Sequence, residues 1–274
     1  MDEEKLVKNF TNGLRRGVAA ASLNVNIREK VRKMKKYMFL ALMGSLVAGM
    51  AGVKGKIVLE GEAPAPRRPI AEADALCGAA LGKKKLNLFT RTWVVGEGNG
   101  LGDVVVFVSK GLEGKDLTPS SEMPVLDQLN CEYVPYVMAV QAGQPFKVQN
   151  SDTLFHNVRT TPKEKGNAGF NIAQVTKGMM TKTHTFPTPE MFVRFQCDVH
   201  RWMFAYVTVV DTAAYAVTDE NGNFKLPVDL PAGKYTLTAV HRKIVDGAKP
   251  KLHTQEFEVV DGKETEVNFQ VSAK

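Results

Sequence analysis

Met191-Phe192-Val193-Arg194-Phe195-Gln196-Cys197-Asp198-Val199-His200-Arg201-Trp202-Met203-Phe204-Ala205-Tyr206-Val207-Thr208-Val209-Val210 is the stretch that decides how this chain folds. It reads as strand, tight loop, strand. The flanking runs, Met191 to Phe195 and Ala205 to Val210, are rich in β-branched and aromatic residues. The loop between them carries Cys197, His200 and Met203. A second imidazole, His156, stands upstream in Leu154-Phe155-His156-Asn157-Val158, just after the turn Asn150-Ser151-Asp152. One thiolate, two imidazoles and a weak thioether are the donor set of a blue-copper electron-transfer site.

Working outward, short strands continue on both sides. Val53 to Gly61 alternates and stops at Pro64 and Pro66; Asp103-Val104-Val105-Val106-Phe107-Val108-Ser109 is a compact β-branched run suited to a buried strand. Val137–Val140, Phe146–Asn150, Phe224–Leu226, Tyr235–Val240, Glu256–Val260 and Glu266–Val271 follow. Asn221-Gly222, Pro231-Ala232-Gly233 and Asp261-Gly262 mark turns between them. Many short strands at this spacing predict an all-β sandwich architecture. A short helix is expected around Ile70–Leu76.

The basic balance of the chain, +7, does not point to nucleic acid. Residues 1–51 hold ten Lys/Arg against four Asp/Glu, a balance of +6, and leave only +1 for residues 52–274. The excess belongs to a targeting element. Lys35-Lys36 precede the apolar run Tyr37–Ala51, which ends in the small-x-small triplet Gly49-Met50-Ala51. That is the order of a secretory signal peptide. The run is also short for a membrane span, which needs roughly 20 residues. Residues 1–51 are therefore expected to be a signal peptide or an uncleaved anchor, with Met34 an alternative start, and the body to lie in the periplasm or another extracytoplasmic space. Three cysteines fit export. If Cys197 binds metal, Cys77 and Cys131 remain either to pair or to stay as buried thiols. A bridge closing that loop would stabilise the fold by roughly 4 kcal/mol.

Two resemblances add to this reading. Cys-x2-His-x2-Met at 197–203, Phe155-His156-Asn157-Val158, Gly143, Asn150 and Gly178-Met179-Met180 resemble the amicyanin/plastocyanin family of cupredoxins, over about residues 119–211. Phe155 stands where the family often has Pro, Trp202 replaces a smaller aromatic, and Thr161–Ala168 is not family-like. The resemblance implies a Greek-key sandwich with one type 1 copper held by His156, Cys197, His200 and axial Met203. It further implies Asn157 bracing the Cys197 loop and an apolar surface around His200 in which Trp202, Phe155 and Phe204 are candidates. Asp219-Glu220-Asn221-Gly222 with Pro231-Ala232-Gly233-Lys234-Tyr235 resembles the carboxypeptidase regulatory-like, transthyretin-like β-sandwich module. That module is expected to be split, 52–118 plus 212–274, around the copper domain. One enlarged sandwich is the alternative.

By the same resemblance the expected role is an electron carrier, not an enzyme, exchanging single electrons with protein partners such as a cytochrome or dehydrogenase. Copper handling without redox turnover, and a structural sandwich with a vestigial loop, are the competing classes. Multicopper oxidase chemistry needs His-x-His pairs and a binuclear copper site needs two loop cysteines; the sequence has neither. His184, His241, His253, Tyr136 and the Met179-Met180 pair are expected to serve packing.

Overall fold

The computed structural model describes residues 51–64, 77, 91–115 and 122–273. The signal or anchor segment before Ala51 and the helix expected around Ile70–Leu76 lie outside the described residues. Among the described residues, no helix is long and apolar enough to cross a membrane.

The protein is all-β, in several sheets. The chain first forms β1 (Val53–Glu60) and β2 (Val104–Lys110). It continues through β3 (Val125–Leu129), β4 (Glu132–Val134), β5 (Val137–Gln141), β6 (Lys147–Asn150), β7 (His156–Thr161), β8 (Asn171–Gln174), β9 (Glu190–Gln196) and β10 (Phe204–Val210). It ends with β11 (Tyr215–Val217), β12 (Asn223–Lys225), β13 (Gly233–Asp246), β14 (Lys249–Val259), β15 (Thr265–Glu266) and β16 (Phe269–Ser272).

Strands β3 to β10 make one lobe, a sheet in the order β5-β10-β9-β7-β8 facing a smaller sheet β4-β3-β6. Its core holds Tyr133, Phe146, Phe186, Phe195 and Val207. The flanking strands make a second lobe, in which β1, with β12, β15 and β16 on its sides, faces the sheet β11-β2-β13-β14. Ile57, Leu59, Leu237, Phe269 and Val271 fill that core. The loop from Cys197 to Met203 closes the first lobe at the end of β9, and the second lobe contributes none of the candidate ligands.

Strand β2 explains its own composition. Val104, Val106 and Val108 point into the second lobe's core, whereas Val105 and Phe107 pack on Tyr136, Val137, Ala139 and Val210 of the first lobe. A strand covered on both faces loses its polar alternation and reads as a continuous apolar run. The β12 turn is equally legible: Asp219 Oδ1 accepts the Asn221 and Asn223 N–H groups. Gly222 sits at φ +79°, where a Cβ would meet the Ile57 carbonyl at 2.3 Å, so only glycine fits. In the β13 hairpin the Tyr235 hydroxyl donates to the Pro231 carbonyl at 2.7 Å, which ties the Pro-x-Gly-x-Tyr segment to itself.

His241 belongs to packing. It is 3% exposed, its ring lies 4.6 Å from that of Trp93, and its Nδ1 accepts the Lys243 N–H. Burial, with the Arg242 and Lys243 charges beside it, pulls its pKa down to about 3. An unfolded histidine titrates near 6.5, so below that pH only the unfolded chain takes up the proton. The stability tied to neutral His241 is therefore complete above pH 6.5 and is lost toward pH 3, at up to about 1.4 kcal/mol per pH unit. Asp103 acts in the opposite sense. Burial, against the pull of Arg91 and Arg242, raises it to about 6, so acidification below that value favours the folded state. Urea unfolding at pH 7, 6 and 5 separates the two, because His241→Phe removes only the acid-labile component. Parallel pH profiles for the variant and the native protein would contradict the assignment.

Candidate metal centre

The site begins with two strands that neighbour one another. β7 and β9 pair antiparallel, with Arg159 opposite Gln196. His156, the first residue of β7, and Cys197, the residue after β9, therefore meet at one end of the sheet. Period-two alternation turns Val193, Phe195 and Cys197 to the buried side. The loop then doubles back: the Met203 N–H donates to the His200 carbonyl at 2.8 Å, and the Cys197 N–H to the Met203 carbonyl at 3.0 Å. Those two bonds hold His200 over Cys197 before β10 pairs with β9.

Three donor atoms converge. His156 Nδ1 and His200 Nδ1 are 3.0 Å apart, and Cys197 Sγ lies 4.0 Å from the first and 3.7 Å from the second. All three residues are buried, as is Met203, which is 1% exposed and belongs to the same core as Cys197. The circle through the three atoms (product of the sides over four times the triangle's area) has a radius of about 2.1 Å. Metal–imidazole bonds measure about 2.0–2.1 Å, so the triangle has the size of a trigonal metal plane. A thiolate with two imidazoles suits copper and zinc by donor type.

The surroundings prepare these atoms. Burial raises the Cys197 thiol, but the hydrogen bond from His156 and the polar contacts of Asn157, His200 and Val199 outweigh it and hold the thiol below its ordinary range. Burial lowers His156, yet its bonds to Asp152 and Cys197 carry it up to about 8. The lowered thiol shifts Cys197 toward the thiolate, the form that binds metal.

Asn157 Oδ1 lies 3.4 Å from Cys197 Sγ and accepts the Asp198 N–H at 2.7 Å. Its amide donates to Asn171 Oδ1 and Asp198 Oδ2. It therefore ties β7, β8 and the loop together where the thiolate sits.

Sequence reasoning missed two carboxylates. Asp152 Oδ2 accepts from His156 Nε2 at 2.9 Å, which leaves Nδ1 facing the site. Its carboxyl is held below the usual range: burial pushes it up, while His156 and the amides of Cys131 and Asn130 push it further down. Asp198 accepts from Arg159 at 2.8 and 2.9 Å and from the Gln196 side chain at 3.0 Å, so it clamps the loop to β7 and β9. The spacing of Asp152 four residues before His156 was the available signal for the first; the second has none, because Arg159 and Asn157, which tie it to β7, lie about 40 residues away in sequence.

The expected apolar surface needs revision. Phe155 is 43% exposed and Val199, which sequence reasoning passed over, is 52% exposed. Trp202 is half-buried, with its indole N–H on the Cys131 carbonyl and its ring 5.3 Å from that of His200. Phe204 does not join them. It alternates to the opposite side of β10 from Met203 and packs on Tyr136, Tyr206 and Arg194 against the second lobe. His200, expected at the surface, is only 3% exposed. Met180, expected in the core, is 44% exposed, while the Met179 sulfur accepts the Val175 N–H. Cys77 and Cys131 are joined in a disulfide.

No protein-family model and no curated protein matches the chain. Solved structures with partial similarity include the copper-containing nitrite reductase of Thermus scotoductus SA-01, at 17% identity and TM-score 0.30, over 38% of this chain and 25% of that one. Two amicyanin variants, one a Cu(I) form and one reduced, align at 17% and 18% identity and TM-score 0.29, over 38% of this chain and 97% of theirs.

Proposed function

We propose that this protein is an exported type 1 copper protein of the cupredoxin kind, carrying single electrons between redox proteins outside the cytoplasm. The observation that carries the reading is the convergence of two imidazole Nδ1 atoms and one thiolate on a point about 2.1 Å from each, buried beside Met203. His156, Cys197 and His200 would hold copper, and the Met203 thioether would be a further, weaker donor. Copper bound there supplies one-electron exchange between Cu(II) and Cu(I).

The remaining work belongs to the chain. Asp152 holds the Nε2 proton of His156 and so presents the Nδ1 lone pair. Asn157 fixes the position of Cys197, and Asp198 with Arg159 keeps the loop from relaxing between charge states. Burial of all the donors keeps water out and argues against a carrier that hands its ion on. Phe155, Val199 and Trp202 flank the ligands at one end of the lobe, a small apolar rim suited to brief encounters with a cytochrome or dehydrogenase. No catalytic role is assigned. The second lobe, read as a carboxypeptidase regulatory-like module, serves as a rigid mount for the first.

Addition of Cu(II) to the purified metal-free protein tests this. An intense blue thiolate-to-copper absorption, bleached reversibly by one electron per protein, is the expected result. Tight colourless Cu(I) binding without the blue form would replace electron transfer with copper handling.

A further inference from the structure

The hairpin that carries Cys131 touches both sides of the metal centre. Leu129 pairs with Glu132, so Asn130 and Cys131 form a two-residue turn between β3 and β4. Both residues are left-handed, at φ 58° and 55°. That is the type I′ geometry usually given to Asn-Gly, and a cysteine adopts it only where its surroundings enforce it. The turn directs both N–H groups onto one carboxylate: Asn130 donates to Asp152 Oδ1 at 2.7 Å and Cys131 to Asp152 Oδ2 at 2.8 Å. The same Oδ2 accepts from His156 Nε2. On its other side the Cys131 carbonyl accepts the Trp202 indole N–H at 3.2 Å, beside His200. The third attachment of Cys131 is its bond to Cys77.

We propose that the Cys77–Cys131 disulfide is a positioning element of the metal centre, in addition to being a staple of the fold. By pinning the turn it fixes Asp152, and through Asp152 it fixes the tautomer and orientation of His156. β3 is held by β6 and β4 by buried Tyr133, so the strands have their own anchors, and the turn between them, which has no glycine, is the part the bridge pins. The effect on copper rests on the function proposed above; the effect on His156 does not, because it exists in the metal-free protein.

The test uses two double variants. Cys77→Ala with Cys131→Ala removes the bridge and keeps a residue unsuited to the turn. Cys77→Ala with Cys131→Gly removes the bridge and restores the Asn-Gly pair that prefers it. In metal-free protein, nitrogen-15 NMR of His156 is expected to show a protected Nε2–H in the native chain. That protection is lost in the alanine pair and regained in the glycine pair. In the copper-loaded protein the alanine pair is expected to lose roughly 10–100-fold in copper affinity, the usual effect of disturbing an outer-shell partner. The same pair made in an Asp152→Asn background should lose no more than Asp152→Asn alone. An unchanged His156 Nε2–H in both pairs, or additive losses in the cycle, would overturn the proposal and leave the bridge a staple. If the alanine pair does not fold, the glycine pair decides: loss of Nε2–H protection in a folded glycine pair overturns positioning through the turn. Failure of the native protein to take up copper would overturn the function proposed above while leaving the NMR result to judge this one.

Discussion

Replacement of Cys197 by serine is expected to abolish the blue absorption and to weaken copper binding by more than 100-fold. Cys197 supplies the sulfur of the donor triangle and directly follows the strand that places it, so no neighbour substitutes for it. Disturbing groups one shell further out already costs roughly 10–100-fold in metal affinity, and a lost ligand costs more. Serine preserves size and leaves the Asp198 N–H on Asn157 and the Cys197–Met203 backbone bond in place. The thermal midpoint of the metal-free protein should therefore move little. Titration with Cu(II), followed by visible absorption and calorimetry, reads both quantities. A serine variant that keeps the blue band would show that the colour arises elsewhere and would end the assignment.

The second large effect is on stability. Phe195→Ala is expected to cost about 3–5 kcal/mol, the range for a buried aromatic truncated in a core that relaxes only partly. Phe195 is fully buried, with the rings of Phe146 and Phe170 each 6.0 Å away and that of Phe186 6.2 Å away. It lies two residues before Cys197 on the same face of β9, so this aromatic cluster is the floor on which the metal loop stands. The loss corresponds to a fall of roughly 6–20 °C in the midpoint for a protein of this size. Calorimetry of native and variant protein measures it. A loss below about 1 kcal/mol would mean that the cluster closes over the gap and that the loop is held from elsewhere.

Much of this was legible because it is local. Period-two runs mark strands, and Cys-x2-His-x2-Met marks a loop with three donors on it. The Asp219 and Pro231–Tyr235 segments bond to themselves, so each announces its turn without help from the rest of the chain. What escaped is what depends on partners far away. Asp152 reads as an ordinary turn residue until the β3–β4 turn is seen donating to it from 21 and 22 positions away. Asp198 reads as a solvated loop charge until Arg159 arrives from β7. Phe204 shows the limit of alternation: a period of two says which residues share a face, and not whether that face meets solvent or a second lobe. The apolar run of β2 carried the missing information, since a strand without polar alternation needs cover on both sides.

The order of the strands also sets the order in which the chain can be completed. β1 lies parallel to β16 across most of the sequence, and the Lys56 amide donates to Asn268 over a separation of 212 residues. While the chain emerges from its amino end, β1 and β2 have no strand partners until β11 and the strands after it arrive. The segment from β3 to β10 is continuous and pairs within itself, so it can close first. The lobe that gathers the candidate ligands is thus the early folding unit, and the second lobe is the late one. A stalled or carboxyl-truncated chain would carry a finished donor triangle on two orphan strands, one of them with five buried apolar residues in a row. Aggregation through β2, more than loss of metal binding, is the failure that this topology invites.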